Sequence, residues 1–309
     1  MIWGGRLPPL RYHRLMARLV LIICLAAAAC AESLPEALRA RIGDFQGTVT
    51  LYAKNLDTNA TAAIRDTEPV RTASTIKLAI MAATFDLVAQ GKAKWQEPLT
   101  VTAAEKVSGS GIIGTELSDG VQLPLLDLVH LMIVLSDNTA TNIILERITP
   151  DAVNAYLDRI GFSATRSLRK IRGDGPQQKT ASGSSAAGRL PENQRYGIGV
   201  STPRDMATIL ERIERGQLVG PDASKEMLAI LKRCQDNSGI RRKLGDLPVA
   251  NKTGALDALR SDVGIVYAPT GRIVMAITVD GMPKTDYSPN NVGSLLIADL
   301  AKMLVDRLR

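Results

Sequence analysis

The sequence predicts an α+β fold, an antiparallel sheet formed from both chain ends packed on helices, with an all-helical lobe between. Three observations carry that prediction. Near the start, Gly47–Lys54 alternates around Val49, Leu51 and Ala53, and Thr61–Ile64 is its hairpin partner across a turn at Asp57-Thr58-Asn59. Near the end come three strand-like runs, Leu247–Thr253, Asp262–Tyr267 and Arg272–Val279, the last two joined by a turn at Pro269-Thr270-Gly271. Between these groups the chain is helical apart from one short strand, Leu99–Val101, and no internal repeat or heptad interrupts it.

The helices follow in order. Thr75–Gln90 carries Ile76, Leu78, Ala79, Ala82, Ala83, Phe85, Leu87 and Val88, which leaves little polar surface and predicts a helix buried on most sides. Ser108–Gly114 is a glycine-rich turn. Leu125–Leu135 and Thr139–Ile148 are two helices flanking a short break at Ser136-Asp137-Asn138. Pro150–Ile160 starts after the N-cap candidate Thr149, and Pro203–Arg215 after Thr202, each with proline at its first position. Ser224–Lys232 and a terminal Val292–Leu308 complete the set. Residues 172–200 show no period over about thirty residues, a length that in a compact domain marks a functional or mobile loop. The division is then an export segment, 1–31, and one folded unit, 32–309. Its α/β lobe is 32–72 and 217–309, and its helical lobe is 73–216.

At 309 residues with 45% hydrophobic content the chain can bury a large core. Its first 31 residues hold Arg6, Arg11, Arg14 and Arg18 and no acid, leading into the apolar run Leu19–Ala31. That run is too short to span a bilayer as a helix and reads as an export signal, with Met16 as an alternative start. Ala29-Cys30-Ala31 fits cleavage after Ala31, and lipid attachment at Cys30 is the other reading, so a periplasmic or extracellular protein is expected, with a membrane contact only through such an anchor. Without the segment, 34 basic residues face 31 acidic ones, too small a bias for a nucleic-acid partner. Aromatic residues, at 4%, are too few for a base-stacking or sugar-stacking surface. Cys24 and Cys30 lie in the export segment, so the mature chain keeps only Cys234 and forms no internal disulfide. Histidine is equally scarce. His13 precedes the mature chain, and His130 sits in an apolar helix, which excludes a His-rich zinc site and leaves His130 as the one histidine for a Ser-His-Asp triad.

Three short motifs remain. Ser74-Thr75-Ile76-Lys77 opens the first buried helix, so Ser74 and Lys77 share a face. A serine hydroxyl needs a proton acceptor to become a nucleophile, and a lysine serves when burial lowers its pKa. Ser74 near a helix start also has an N–H free for a substrate oxygen. In Ser136-Asp137-Asn138 a hydroxyl near that pair can relay a proton to a leaving nitrogen, while Asn138 positions Lys77 or a substrate carbonyl. In Lys252-Thr253-Gly254 the glycine lets a substrate lie against the strand edge, and the lysine and threonine attract a carboxylate. Taken singly, each motif has an ordinary explanation: a capped helix with a surface lysine, a polar helix junction, a strand-end turn.

All three in this order, each in a different structural context, resemble the class A β-lactamases and related penicillin-binding serine enzymes. The resemblance runs from about Gly47 to the C-terminus and includes Ser136-Asp137-Asn138-Thr139-Ala140-Thr141-Asn142 and Thr202-Pro203-Arg204-Asp205-Met206. It implies a β-lactamase and DD-peptidase-like fold and a serine hydrolase that opens a β-lactam amide through an acyl-Ser74 enzyme. DD-peptidase, esterase or penicillin-sensing activity of the same fold is the alternative. Ser74 would be acylated, Lys77 would accept its proton, and Ser136, assisted by Lys252, would protonate the leaving nitrogen. The N–H groups of Ser74 and Ala255 would form the oxyanion hole, with Asn138, Thr253 and Gly254 binding substrate and Arg260 helping Thr253 with its carboxylate. The substrate would be a β-lactam or a D-Ala-D-Ala-like molecule, with no metal or organic cofactor and a monomeric protein expected. One part of the family pattern is missing: the Glu-Pro-x-x-x-Asn segment whose glutamate activates water. Lys170-Ile171-Arg172 stand where it is expected, and the loop acids are Asp174 and Glu192, of which Glu192, before Asn193, is the better substitute.

Overall fold

In a computed structural model the structure describes Met1 and residues 32–172 and 183–309. The expected export segment with Cys24 and Cys30, and the loop acid Asp174, lie outside the described residues. Strand β1 (Thr48–Asn55) and β2 (Thr61–Ile64) form the first hairpin, and β3 (Val70–Arg71) follows. β4 (Pro98–Thr100) pairs with β5 (Gln122–Pro124), while β6 (Arg166–Ser167) and β7 (Gly199–Ser201) join β3 in a small second sheet. β8 (Val249–Leu256), β9 (Leu259–Ala268) and β10 (Gly271–Asp280) complete the main five-stranded antiparallel sheet, in the order β2-β1-β10-β9-β8. The chain ends meet where β1 pairs with β10, from Thr48 opposite Asp280 to Asn55 opposite Ile273. That order leaves β8, which carries Lys252-Thr253-Gly254, as an outer strand.

Period-two alternation divides the core into two layers. On β10, Ile273, Met275, Ile277 and Val279 pack with Leu296, Leu300 and Leu304 of the terminal helix Val292–Arg307. Val274 and Ala276, on the other face, join the larger cluster with Ile80, Met81, Leu128 and Ile144 of the intervening helices. The helix Pro203–Glu214, assigned to the helical lobe from sequence, lies against β1, β9 and β10. Its buried Met206, Ile209, Leu210 and Ile213 supply the apolar stripe that this requires.

The helix Lys77–Ala89 is buried on every side from Lys77 to Phe85, as its composition predicts. Thr149 and Thr202 cap their helices, accepting from the amides of Ala152 and Asp205. A helix at Leu34–Ile42 was not anticipated from sequence, although its capping box of Ser33 and Glu36 with Pro35 is a local signal. The stretch read as aperiodic is partly ordered: Ala186–Arg189 is a short helix, Pro191–Tyr196 a 3-10 turn and Gly199–Ser201 is β7. Side-chain to backbone hydrogen bonds shape it instead of hydrophobic periodicity. Ser185 accepts from Gly188 N–H at 2.9 Å and reaches the Ser167 carbonyl at 2.9 Å.

Candidate active site

The three motifs converge on one cleft of about 860 Å³, lined by Ser74, Ser136, Asn138, Lys252, Thr253, Gly254 and Ala255 among others. Ser74 lies in a single 3-10 turn, Ala73–Ile76, and the α-helix itself begins at Lys77, two residues after the expected start at Thr75. Ala73 holds a left-handed φ of 46°, a conformation that costs a Cβ-bearing residue about 1–3 kcal/mol and persists only where packing dictates it. The packing is β8. A Cβ added at Gly254 would stand 2.8 Å from the Thr72 carbonyl oxygen and 3.0 Å from Ser74 N. Gly254 is therefore required first by the backbone of the serine turn, a tighter constraint than the substrate access inferred from sequence.

Lys77 is completely buried. Its Nζ donates to the Ser136 carbonyl at 2.7 Å, to Asn138 Oδ1 at 3.0 Å and to Ser136 Oγ at 3.2 Å. Burial, and then the positive charge of Lys252, push its pKa well below the usual lysine range, against a smaller opposing pull from Asp137. The same burial favours loss of a proton from this amine, which two further anchors aim at the Ser136 hydroxyl.

Ser136 also takes a left-handed φ, 55°. Asp137 fixes that bend. Its carboxylate accepts from Ala140 N–H at 2.8 Å, capping the helix Asn138–Ile148, and from Ile112 and Ile113 N–H at 2.7 and 2.9 Å. The glycine-rich turn is thereby clamped to the motif, and a Cβ at Gly111 would fall 2.2 Å from Asp137 Oδ2. Asn138 ties the same turn from the other side, donating to the Ser108 carbonyl at 3.1 Å.

Lys252 is equally buried, and its Nζ donates to the Thr253 carbonyl at 2.9 Å. Burial lowers its pKa, against the opposing pull of neighbouring acidic groups that include Asp236 and Asp262. Asp262, completely enclosed below the strand, is raised to about 7 by that burial despite hydrogen bonds from Asn251 and Ile240 N–H. Ala255 is exposed at the end of the strand.

Arg260 bonds mainly to backbone carbonyls beside Thr253. Its guanidinium donates to the carbonyls of Leu256 at 2.7 Å, Leu259 at 2.6 Å and Asp286, and it stacks over the Tyr287 ring at 4.9 Å. It lines a smaller cavity of about 160 Å³ shared with Thr253 and Ala255, and its planar fork is committed to tying the β8–β9 hairpin to the 286–287 loop. Glu192 is exposed on the Pro191–Tyr196 turn and does not line the cleft. His130 lies on the helix Leu125–Val134 within 3.3 Å of Arg233 and outside the cleft lining. Cys234 is a free, buried thiol at the cleft margin.

Two features escaped the sequence reading. Asn142 Nδ2 donates to the Ile171 carbonyl at 2.8 Å and its Oδ1 accepts from Ile171 N–H at 2.8 Å, holding Ile171 in the cleft lining. The signal was the position of Asn142 one helical turn after Asn138, on the same face. Asp236 also lines the cleft, accepting from Ser238 N–H at 2.9 Å, and only tertiary structure brings it there.

The architecture that carries this site is the class A β-lactamase and penicillin-binding-protein fold, and solved structures of that fold superpose on it. An acyl-enzyme complex of a PBP-A mutant with penicillin G is 28% identical, with a TM-score of 0.73 over 88% of this chain and 95% of that one. A β-lactamase from Sphaerobacter thermophilus is 28% identical, with a TM-score of 0.74 over 88% and 95%. The chain belongs to the Beta-lactamase enzyme family, whose profile matches residues 33–308. Among curated relatives, a β-lactamase regulatory protein BlaB from Streptomyces cacaoi is 24% identical over 90% of this chain and 98% of its own length. A β-lactamase from Bacillus subtilis is 26% identical over 86% and 81%.

Proposed function

We propose that this protein is an exported serine hydrolase that reacts with β-lactams through an acyl-Ser74 enzyme and releases the acyl group slowly. In the first half, neutral Lys77 takes the Ser74 Oγ proton as the oxygen attacks the lactam carbonyl. The tetrahedral oxyanion is held by the N–H groups of Ser74 and Ala255. The C–N bond then breaks, Ser136 passes its proton to the departing nitrogen, with Lys252 supporting the charge, and Lys77 restores the Ser136 proton. The observation that carries this is the three-point anchoring of a fully buried Lys77 against Ser136 and Asn138.

Slow release rests on Ile171. In the resembling family a glutamate in this loop activates water, whereas here Asn142 grips an aliphatic residue in the cleft lining. The regulatory name of the Streptomyces cacaoi relative accords with a protein that is acylated and stays so. The test is intact mass of the mature protein mixed with benzylpenicillin, sampled from seconds to hours beside Ser74→Ala. The expected result is one penicilloyl adduct on the native protein, persisting for minutes or longer, and none on the variant. Rapid loss of drug without an accumulating adduct would replace slow release by true β-lactamase turnover. No adduct and no hydrolysis would remove the β-lactam reading altogether.

A further inference from the structure

The buried carboxylate of Asp262 takes no part in the acylation steps, yet it stands directly behind the third motif. In the β8–β9 ladder Asp262 lies opposite Thr253, and Asn251, diagonal to it, immediately precedes Lys252. Period-two alternation puts Asn251, Thr253 and Asp262 on one face of the strand pair and Lys252 and Gly254 on the other. Asn251 Nδ2 donates to Asp262 Oδ1 at 2.9 Å, and Ile240 N–H donates to Asp262 Oδ2 at 2.8 Å. Asn251 Oδ1 accepts in turn from Arg241 Nε at 2.7 Å, and Arg241 is itself anchored on the carbonyls of Lys232, at 2.9 Å, and Val249. Arg241, Asn251 and Asp262 thus form one chain that ties the turn Ile240–Lys243 to both strands. The enclosure is close, since a Cβ added at Gly239 would fall 2.5 Å from Asp262 Oδ2.

The strand so tied is the one least held by its ladder. β8 is an outer strand with β9 as its single sheet neighbour, while the serine turn leaves Gly254 no room to shift. A carboxylate accepts at both oxygens, whereas a protonated acid presents an O–H donor in place of one acceptor. Only the ionised form therefore answers both N–H groups without rearrangement. Burial, the largest influence, raises the Asp262 pKa to about 7, with Asp236 acting in the same direction and Lys252 against it. Arg241 is one hydrogen bond removed, through Asn251. Arg260, two residues earlier on the same face of β9, is occupied by backbone carbonyls. The nearby Cys234 thiol is raised by burial and so stays neutral around pH 7.

We propose that ionised Asp262 is a positioning residue for acylation: by accepting from Asn251 and Ile240 N–H together, it fixes the outer strand, and with it Lys252, Thr253 and Gly254, against the serine turn. This rests on the acyl-Ser74 reading.

The test follows acylation by benzylpenicillin, read by intact mass from about pH 6 to 8. It compares the native protein, Asp262→Asn, and the double variant that joins Asn251→Asp to Asp262→Asn. The double exchange keeps the hydrogen bonds among the three side chains and Ile240 N–H but moves the charge beside Arg241. At about pH 8 the single variant is expected to acylate at least tenfold more slowly than the native protein, and the double variant to return within about threefold. The native-to-double ratio should fall about fivefold between pH 8 and 6, as Asp262 takes up its proton while the exchanged carboxylate, against Arg241, stays ionised. Lys77 is common to both proteins and cancels in that ratio. If the single variant does not fold, the native and double proteins decide the matter between them. A double variant that folds but acylates at a tenth of the native rate or less would overturn the role of the hydrogen-bonded chain. A ratio independent of pH would overturn the requirement for the ionised form. A single variant as fast as the native protein would remove Asp262 from acylation and leave the acyl-enzyme reading standing. Failure of benzylpenicillin to label native Ser74 would overturn that reading and this inference together.

Discussion

On one side of the cleft a fully buried lysine reaches two oxygens of Ser136 and one of Asn138, and a carboxylate, Asp137, locks the bend that presents them. On the other side, Asn142 spends both its polar atoms on the backbone of Ile171, so the residue brought to the cleft is aliphatic. Both arrangements are equally well anchored, yet only the first supplies a group that can move a proton. Rigidity alone does not make half of a reaction. The serine side is built at a cost, with buried lysines and two left-handed residues, Ala73 and Ser136. Among the described residues, the Asn142–Ile171 contact carries no such cost and offers no such chemistry.

The largest expected effect comes from removing the proton acceptor. Lys77→Met should slow acylation by benzylpenicillin about 10³-fold, in the range of a lost general base. Met keeps most of the buried volume but leaves the Ser136 carbonyl and Asn138 Oδ1 without their donor, so a modest fall in the thermal unfolding temperature is expected. Retained acylation would place the base elsewhere. The same side predicts a pH profile. The neutral amine is the active form and its pKa is lowered, first by burial and then by Lys252. Acylation should therefore rise as pH passes upward through that lowered pKa and level off before the ordinary lysine range. A rate that falls over this interval would contradict the assignment.

Next in size is Gly254→Ala, which sets a methyl against the Thr72 carbonyl and Ser74 N. Backbone on both sides cannot rotate away, so acylation is expected to drop about 100-fold, consistent with a misplacement of about 1 Å. Stopped-flow loss of β-lactam absorbance would measure it, and a drop of less than threefold would mean that the serine turn is not held by this contact. Smaller again is Ile171→Glu, which tests the loop side directly. The adduct lifetime followed by mass should shorten about tenfold, a modest share of what a well-placed general base provides. An unaltered lifetime would mean that a carboxylate at this position does not reach the acyl ester. Glu192→Gln should be the smallest of all, within twofold on every rate, since the side chain is exposed and away from the cleft. A large effect there would restore Glu192 as a participant.

What could be read from the residues in order was the part written by local periodicity and spacing. The hairpin partners, the capped helices at Thr149 and Thr202, and the face shared by Ser74 and Lys77 all depend on residues within a few positions of each other. The order of strands, helices and strands also determined that a sheet would be assembled from both ends, because β1 has only β2 nearby and needs β10 for its other edge. The short helix Leu34–Ile42 was legible through its capping box but has a weak apolar pattern, with only Ala37 and Leu38 buried.

Tertiary structure decided the rest, since those features join groups far apart in sequence. Lys252 helps lower the pKa of Lys77 only because two buried elements meet, and burial itself is not a property of a single segment. Asn142 meets Ile171 across a helix and a loop, and Asp236 and Thr253 come together only in the lining of the cleft. Arg260 shows the converse. Its proximity to the third motif suggested a substrate contact, and three carbonyls hold much of its planar five-donor guanidinium in a cavity that Thr253 also lines. Sequence determined which chemical groups are present and on which local faces they stand. Which of them remain uncommitted to the fold, and so available to a substrate, was settled by the long-range contacts that satisfy buried donors and charges first.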